Sequence, residues 1–180
     1  MKKSIISAAV MMTLAGSAFA ADTGTITFTG AVTDTTCNVD IGGAGAEANV
    51  KLPTVSKDSL ATASSVSGKT QFTISLSGCA GAASTAKAFF EPGTTVDTNT
   101  GRLINTDTTG AENVTLQLLD GTTDTAITVG DFSQVSNNTG FVDVSSGSAV
   151  LPYFVQYYAE DNNVTAGAVA SQVTYSISYK

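Results

Sequence analysis

Few residues of this chain could do chemistry. The 180-residue sequence contains no His, no Trp and two cysteines, Cys37 and Cys79. The absence of His removes the commonest general base and metal ligand. The amino terminus indicates an exported chain, and in an exported chain an isolated cysteine pair is more typical of a disulfide than of a metal or redox site. We therefore predict a Cys37–Cys79 bridge, no metal site and no cofactor.

Two acidic stretches are the remaining candidates for chemistry. Glu160 and Asp161 are adjacent carboxylates with no pocket-forming aromatic or Arg around them, so we expect a solvated loop. The stretch from Asp120 to Asp124 lacks the ligand spacing and the closing Glu of a calcium loop, so a hairpin turn is expected there. The sequence therefore predicts no catalytic residue.

The amino terminus indicates export. Lys2 and Lys3 precede an apolar run from Ile5 to Leu14 and a small-residue motif that ends at Ala20, which is the pattern of a cleaved signal peptide. The apolar run is shorter than the roughly 20 residues that span a bilayer. We expect residues 1–20 to be removed, leaving one soluble domain that enters no membrane.

The charge of the mature chain limits its partners. Without Lys2 and Lys3 it has six Lys and Arg against fifteen Asp and Glu, a net charge of −9. An acidic chain with no basic cluster argues against nucleic acid and anionic lipid as partners.

The mature sequence predicts an all-β domain. Apolar and polar residues alternate in short segments between Gly, Pro, Asn and Asp, and no segment has the period of an amphipathic helix. A polar stretch from Ser56 to Ser67 has room for one helical turn. Short strands at this spacing indicate an antiparallel sandwich. The predicted strands are Ala31 to Ile41, Val50 to Val55 with an interruption at Pro53, Lys69 to Ser77, Ala86 to Phe90, Arg102 to Ile104, Val114 to Leu118, Ala126 to Val129, Leu151 to Ala159 and Gln172 to Lys180.

The two ends of the mature chain carry complementary patterns. Thr23 to Val32 alternates threonines with a mostly apolar row, which predicts a half-buried strand that needs a sheet to enter. The last nine residues form a second alternating strand, and no further strand follows it. The chain thus begins with a spare strand and ends where one is needed. The apolar row at the start is Gly24, Ile26, Phe28, Gly30 and Val32, and the row at the end is Val173, Tyr175, Ile177 and Tyr179.

These features together resemble the major subunits of chaperone-usher pili, close to the type 1 major pilins. The resemblance covers the mature chain and rests on the extension from Thr25 to Val32, on Thr36-Cys37-Asn38-Val39-Asp40, and on Cys79 after its strand. The end, Thr174 to Lys180, carries the family's penultimate tyrosine at Tyr179. The loops from Gly42 to Gly45 and from Thr94 to Gly110 contain no motif that matches the family.

The resemblance implies an incomplete immunoglobulin-like antiparallel sandwich that lacks its last strand, with residues 21–32 as a donor-strand extension and 33–180 as the pilin domain. It implies head-to-tail polymerisation with identical or related subunits, after delivery by a periplasmic chaperone to an outer-membrane usher, into an adhesive fimbrium on the cell surface. The donor residues would be Ile26, Phe28, Gly30 and Val32, and the groove edge that the chaperone binds would be Val173, Tyr175, Ile177, Tyr179 and Lys180.

Gly30 has two explanations at this stage. A glycine weakens a strand and buries nothing, so its place in the apolar row suggests either a close approach or a bulge. In the resembled pilins a glycine here faces a shallow part of the acceptor groove.

Three alternatives remain open. A minor or adapter pilin would use the same donor and groove. A secreted ligand-binding β-sandwich or adhesin would act through a pocket of its own, although a tip adhesin needs a second domain for which about 160 residues leave no room. A secreted enzyme would need a nucleophile and a base that the sequence does not show.

Overall fold

The computed structural model describes residues 25–27, 29–30, 32 and 34–180. The predicted signal peptide, residues 1–20, and Phe28 lie outside the described residues. The chain divides into two units, Met1–Ala31 and Val32–Lys180. In the first unit, the described residues 25–27 and 29–30 adopt no regular secondary structure.

The second unit contains two antiparallel sheets that share one core. The larger sheet has the order β1-β2-β7-β5-β4, and the smaller one has the order β6-β3-β8. Two short 3₁₀ helices, Lys57–Leu60 and Phe132–Gln134, lie in the connections. The strands are β1 (Thr36–Ile41), β2 (Val66–Ala80), β3 (Thr85–Phe90), β4 (Leu103–Ile104), β5 (Val114–Asp120), β6 (Val142–Asp143), β7 (Ser148–Ala159) and β8 (Tyr175–Tyr179).

The core lies between β2 and β7 of the larger sheet and β3 of the smaller one. Its centre is an aromatic group in which the Tyr153 ring stacks on Phe72 at 5.7 Å and meets Phe90 edge to face at 5.0 Å. Such offset and T-shaped pairs contribute beyond the area that they bury. Ile74 and Leu151, which are paired across β2 and β7, are fully buried beside this group.

The predicted disulfide is confirmed, and it joins β1 to β2. Cys37 and Cys79 are bridged with their Cα atoms 4.1 Å apart, and the register of the two strands shifts at this point, between the pairs Thr36–Ala80 and Asn38–Ser77. Beyond the other end of β1, the carboxylate of Asp40 accepts hydrogen bonds from the N–H groups of Gly43 and Gly45. Both ends of β1 are therefore fixed by side-chain bonds.

Most of the strand predictions are confirmed, with changes at the boundaries. β2 begins at Val66, three residues before the predicted Lys69. Its register against β7 shifts between Ser67 and Thr70, on either side of Gly68, whose φ angle is +67°. The predicted helical turn is the 3₁₀ helix Lys57–Leu60. Its N-cap is Ser56, whose side chain accepts a hydrogen bond from the N–H of Asp58.

Two of the predicted strands are wrong. Residues 49–56 contain no strand, although Val50 and Leu52 pack against the core, and residues 126–129 form only an isolated bridge between Ala126 and Leu119. In both segments, side-chain alternation reports burial on one face, but a strand also requires a neighbouring backbone in register. The burial of alternate side chains in these two segments was predicted correctly, whereas the pairing of their backbones was not.

We expect the double substitution Cys37→Ser with Cys79→Ser to lower the free energy of unfolding by about 4 kcal/mol. The bridge closes a loop with a sequence separation of 42 residues, and its loss restores chain entropy to the unfolded state. Urea unfolding followed by tyrosine fluorescence measures this, since the chain has five Tyr and no Trp. Reduced wild-type protein is the control and should match the variant. Equal midpoints for oxidised wild type and variant would contradict the expectation.

Candidate strand-accepting site

β8 is the outer strand of the smaller sheet, and it pairs with β3 on one side only. The N–H and C=O groups of Lys180 bond to Thr85, and the C=O of Thr174 accepts the N–H of Glu91. Because hydrogen-bonding direction alternates along an antiparallel strand, every second residue of β8 points its backbone groups away from β3. Those residues are Tyr175, Ile177 and Tyr179, and Val173, two residues before β8 begins, continues the same alternation.

The same four residues turn their side chains toward the core. Each is only partly buried, although all pack against the main core cluster. Ser176 and its polar neighbours occupy the opposite face and bond to β3 through their backbones. The outer side of β8 therefore presents half-covered apolar side chains together with backbone groups that face no strand among the described residues.

A second segment borders the same region. The Tyr175 hydroxyl donates a hydrogen bond of 2.8 Å to the carbonyl of Ala46, which places residues near 46 beside β8. Val50 and Leu52 follow and are half-buried against the core. Further along, a pocket of about 230 Å³ opens between residues 49–52 and Val169, with Leu116 and Tyr157 in its lining. We call the strip between β8 and residues 46–52 the groove.

The predicted donor residues are described in part, and Phe28 is outside the described residues. The Ile26 side chain is 78% exposed and that of Val32 is 102% exposed. A Cβ atom built on Gly30 meets nothing within 4 Å, and the φ angle of Gly30 is not in the left-handed region. Nothing described within this chain therefore requires a glycine at position 30.

The side chain of Lys180 reaches the segment after the second 3₁₀ helix. Its Nζ donates to the carbonyl of Asn137 at 2.6 Å and lies 4.3 Å from the centre of the Phe141 ring. Such a cation over an aromatic face is a favourable contact. Lys180 thus links the end of β8 to residues 137–141.

The Glu160 carboxylate is paired, which the sequence analysis missed. Its two oxygens accept from Nε and Nη2 of Arg102, both at 2.8 Å, and Oε1 also accepts from the Thr115 hydroxyl. Arg102 in turn lies 4.0 Å over the Tyr158 ring. The hydrogen bonds from Arg102 hold the pKa of Glu160 below its ordinary value. The bidentate pair links the loop before β4 to the end of β7, so its role is structural.

Asp120 also has a structural partner. The stretch from Asp120 to Asp124 is a turn, as predicted, but Asp120 is buried and lies 2.8 Å from Nζ of Lys87 in β3. Its other oxygen accepts from the N–H groups of Thr122 and Thr123. A Cβ on Gly140 would collide with Asp120 Oδ2, so this glycine is needed for a close approach.

Metal-binding clusters and membrane-spanning helices are both absent from the part of the chain that the structure describes. No three His, Cys, Asp or Glu residues there are grouped so that they could hold a metal ion. None of the helices there has the length and apolar character needed to cross a membrane.

The fold defines a class of protein, an immunoglobulin-like sandwich in which the outer side of β8 faces no other described strand. The family model described as FimA, type-1 fimbrial protein A, matches residues 52–180. The chain therefore belongs to this family, as predicted, and is a structural subunit of a surface fimbrium, which is a polymer of such subunits.

Sequence relatives agree with this assignment. The chain is 45% identical over 159 residues to the major fimbrial subunit SMF-1 of Stenotrophomonas maltophilia, covering 87% of this chain and 92% of that protein. It is 40% identical over 175 residues to the F17 fimbrial protein of Escherichia coli, covering 95% of each.

Solved structures share the fold. A type I fimbria protein of Burkholderia pseudomallei matches with a TM-score of 0.56 and 27% identity, covering 82% of this chain and 99% of that chain. The P pilus rod subunit PapA matches with a TM-score of 0.54 and 20% identity, covering 88% and 100%. The all-β, immunoglobulin-like fold class is thus confirmed.

We expect Glu160→Gln to lower the stability at pH 7 by up to about 1 kcal/mol, because part of the Arg102 pair is screened by solvent. Since the folded pKa of Glu160 is lowered, the pair stabilises above the unfolded pKa and loses its effect as pH falls through the folded pKa. Urea unfolding of wild type and variant should therefore differ at pH 7 and converge at an acidic pH below the folded pKa of Glu160.

Asp161→Asn is the matched control, because Asp161 accepts a hydrogen bond from Asn163 in its own loop. Its effect should change less between the two pH values. A Glu160→Gln deficit of the same size at both pH values would refute the assignment of the pH dependence to this pair.

Proposed function

We propose that this chain is a shaft subunit that polymerises by donor-strand exchange, with residues 21–32 of one copy entering the groove of the next. A periplasmic chaperone would occupy the groove first, and an outer-membrane usher would catalyse the exchange. The observation that carries the proposal is the outer side of β8, where apolar side chains and unpaired backbone groups belong to the same four residues. Strand addition satisfies both at once.

The energy of the proposed contact comes from two sources. Burying Ile26, Phe28 and Val32 would contribute up to about 1.5 to 3 kcal/mol each, since Ile26 and Val32 are almost fully exposed in the single chain. Each backbone hydrogen bond to β8 would add roughly 0.5 to 1.5 kcal/mol.

The relative placement of donor and acceptor on the chain accounts for a filament. The donor lies in residues 21–32 and the acceptor edge in residues 173–179, so the proposed contact joins two different surfaces of the subunit. Such a head-to-tail contact leaves a free donor at one end and a free groove at the other, and repetition generates an open polymer. A structural role of this kind needs no catalytic residue.

The glycine at position 30 supports donation. Its backbone does not need the left-handed region, and a Cβ built there meets nothing within 4 Å, so the described chain gives no reason for a glycine. The proposal places the reason in another chain, where a side chain at this point of the donor would meet the floor of the acceptor groove.

We therefore expect Gly30→Leu to leave the subunit folded on its chaperone but to block its incorporation into fimbriae. Overpacking against a groove floor costs roughly 1 to 3 kcal/mol, and more where the site is rigid. Electron microscopy of cells that make only this variant should show no fimbriae, and purified chaperone-bound subunits should form no polymer on gels.

Thr29→Leu is the matched control, since it introduces the same side chain on the opposite row of the extension and should polymerise. Wild-type polymerisation by Gly30→Leu would show that position 30 faces no constriction and that the proposed donor register is incorrect.

The carboxyl end should bind the chaperone. In the proposal the chaperone pairs along the outer side of β8 and holds the terminal carboxylate, so removal of Tyr179 and Lys180 takes away both the anchor and the last outward-facing backbone group. We expect this truncation to abolish co-purification with the chaperone, measured by affinity pull-down from periplasm. Lys180→Ala is the control, because it removes only the side-chain contacts of Lys180 and keeps the backbone. This variant should retain chaperone binding. Full binding by the truncated chain would contradict the assignment.

The major-subunit role is favoured over a minor or adapter role by the relatives, among them the major fimbrial subunit of Stenotrophomonas maltophilia. Both roles would use the same donor and groove. The number of copies per filament separates them.

A further inference from the structure

The smaller sheet has a second edge, on the far side of β3. Because Thr85 and Glu91 bond toward β8, the residues of β3 that face the other way are Ala86, Ala88 and Phe90. Of these, Ala86 is paired with Val142 in β6, a strand of only two residues. Beyond this pair no strand of the described chain continues the sheet, so Ala88 and Phe90 would be a second place for a strand to add.

Side chains close this edge instead. The N–H of Ala88 donates to the Tyr153 hydroxyl at 2.9 Å. The N–H of Phe90 donates to Oε1 of Gln134 at 3.0 Å, and Nε2 of Gln134 donates back to the Phe90 carbonyl at 3.0 Å. A primary amide offers one donor and one acceptor side by side, so Gln134 bonds to Phe90 as a residue of a partner strand would. Its side chain is buried.

Gln134 lies in residues 130–141, which we call the edge cover. This segment is held mainly by polar contacts: the N–H of Gly130 also donates to the Phe90 carbonyl, and Lys87 Nζ donates to the carbonyl of Thr139. Its aromatic residue Phe132 is 72% exposed and so contributes little packing. A pocket of about 150 Å³, with Lys87, Gln134 and Thr139 in its lining, lies beneath the cover. Gln134 is therefore its central attachment to β3.

We propose that Gln134 makes strand addition one-sided, by fastening the edge cover over β3 so that only the outer side of β8 accepts a donor. This inference rests on the proposed function, since it concerns which edge the donor selects. The physical reason is that an exposed strand at either edge of a sheet can pair with an added strand. A subunit with two open edges would bind two donors, whereas a linear filament needs one.

The test uses the full chain in complex with its periplasmic chaperone, which covers the outer side of β8. A synthetic peptide of residues 21–32 is added in excess, and the species are identified by native mass spectrometry. With wild-type subunit, the peptide should displace the chaperone and give a one-to-one peptide complex. With Gln134→Ala, a ternary complex of chaperone, subunit and peptide should also appear, because the peptide adds at β3 while the chaperone stays on β8.

Gln156→Ala is the matched control. Gln156 is also buried and also bonded through its side-chain amide, to Gln117 at 2.8 Å, but it lies in β7, a central strand with both neighbours present. It should lose stability without giving a ternary complex. A purely structural role for Gln134 predicts the same result for both variants.

The outcomes separate the two proposals. If the peptide fails to displace the chaperone from wild type, donor-strand exchange is refuted. If displacement occurs for all three proteins and Gln134→Ala gives no ternary complex, only the role of Gln134 is overturned. Should Gln134→Ala not be recovered with chaperone, Gln134→Met keeps the buried volume without the hydrogen bonds and is judged by the same two results. Failure of both variants to be recovered, while Gln156→Ala is recovered, would mean that Gln134 is needed for folding and would overturn the proposal.

Discussion

The structure depends on a constraint in β8: the residues that turn their side chains inward are the same residues that turn their backbone groups outward. In an antiparallel strand both properties alternate with a period of two, so they stay in phase along the whole strand. For Tyr175, Ile177 and Tyr179 this phase leaves an apolar surface and unpaired polar groups on one side. A loop or helix could cover the apolar surface, but only another strand supplies hydrogen bonds at the same repeat. In the proposed assembly, the partner of this edge is an extended chain with apolar residues at alternate positions.

The same period explains how much of the fold could be predicted from sequence. Strands buried on one face, such as β2 with Ile74 and Leu76, show alternation that is visible in the sequence, and their predicted positions are confirmed within a few residues. The disulfide followed from cysteine count and export alone. Where the predictions are wrong, the side chains alternate in the same way, but residues 50–55 pair with no described strand and residues 126–129 pair only through the isolated bridge of Ala126 to Leu119. Alternation reports a buried face, whereas a strand depends on a neighbour that may come from anywhere in the chain.

The polar contacts were the least predictable part. Glu160 bonds to Arg102 at a separation of 58 residues, and Gln134 bonds to Phe90 at a separation of 44. No local signal marks such pairs, because a Gln or Glu in a turn-rich segment has the same sequence context whether it is solvated or bonded. The alternation of β8 could be predicted, since its residues lie on one strand with a clear period, and its role as a groove edge stays a prediction. The closure of the opposite edge could not, since it joins a strand to a distant loop.

The edges of the two sheets differ in a way that fits a linear polymer. β4 and β6 are two residues long, and β1 carries a register shift beside the disulfide, so each offers at most a short or irregular template. The far side of β3 is occupied by the hydroxyl of Tyr153 and the amide of Gln134. β8 alone combines five regular residues with an outward backbone that no described strand covers. If the subunit adds one strand, as proposed, it needs its other edges closed as much as it needs this one open. In that proposal the short strands, the bulge and the side-chain bonds on β3 contribute to the direction of assembly although none of them lies in the groove.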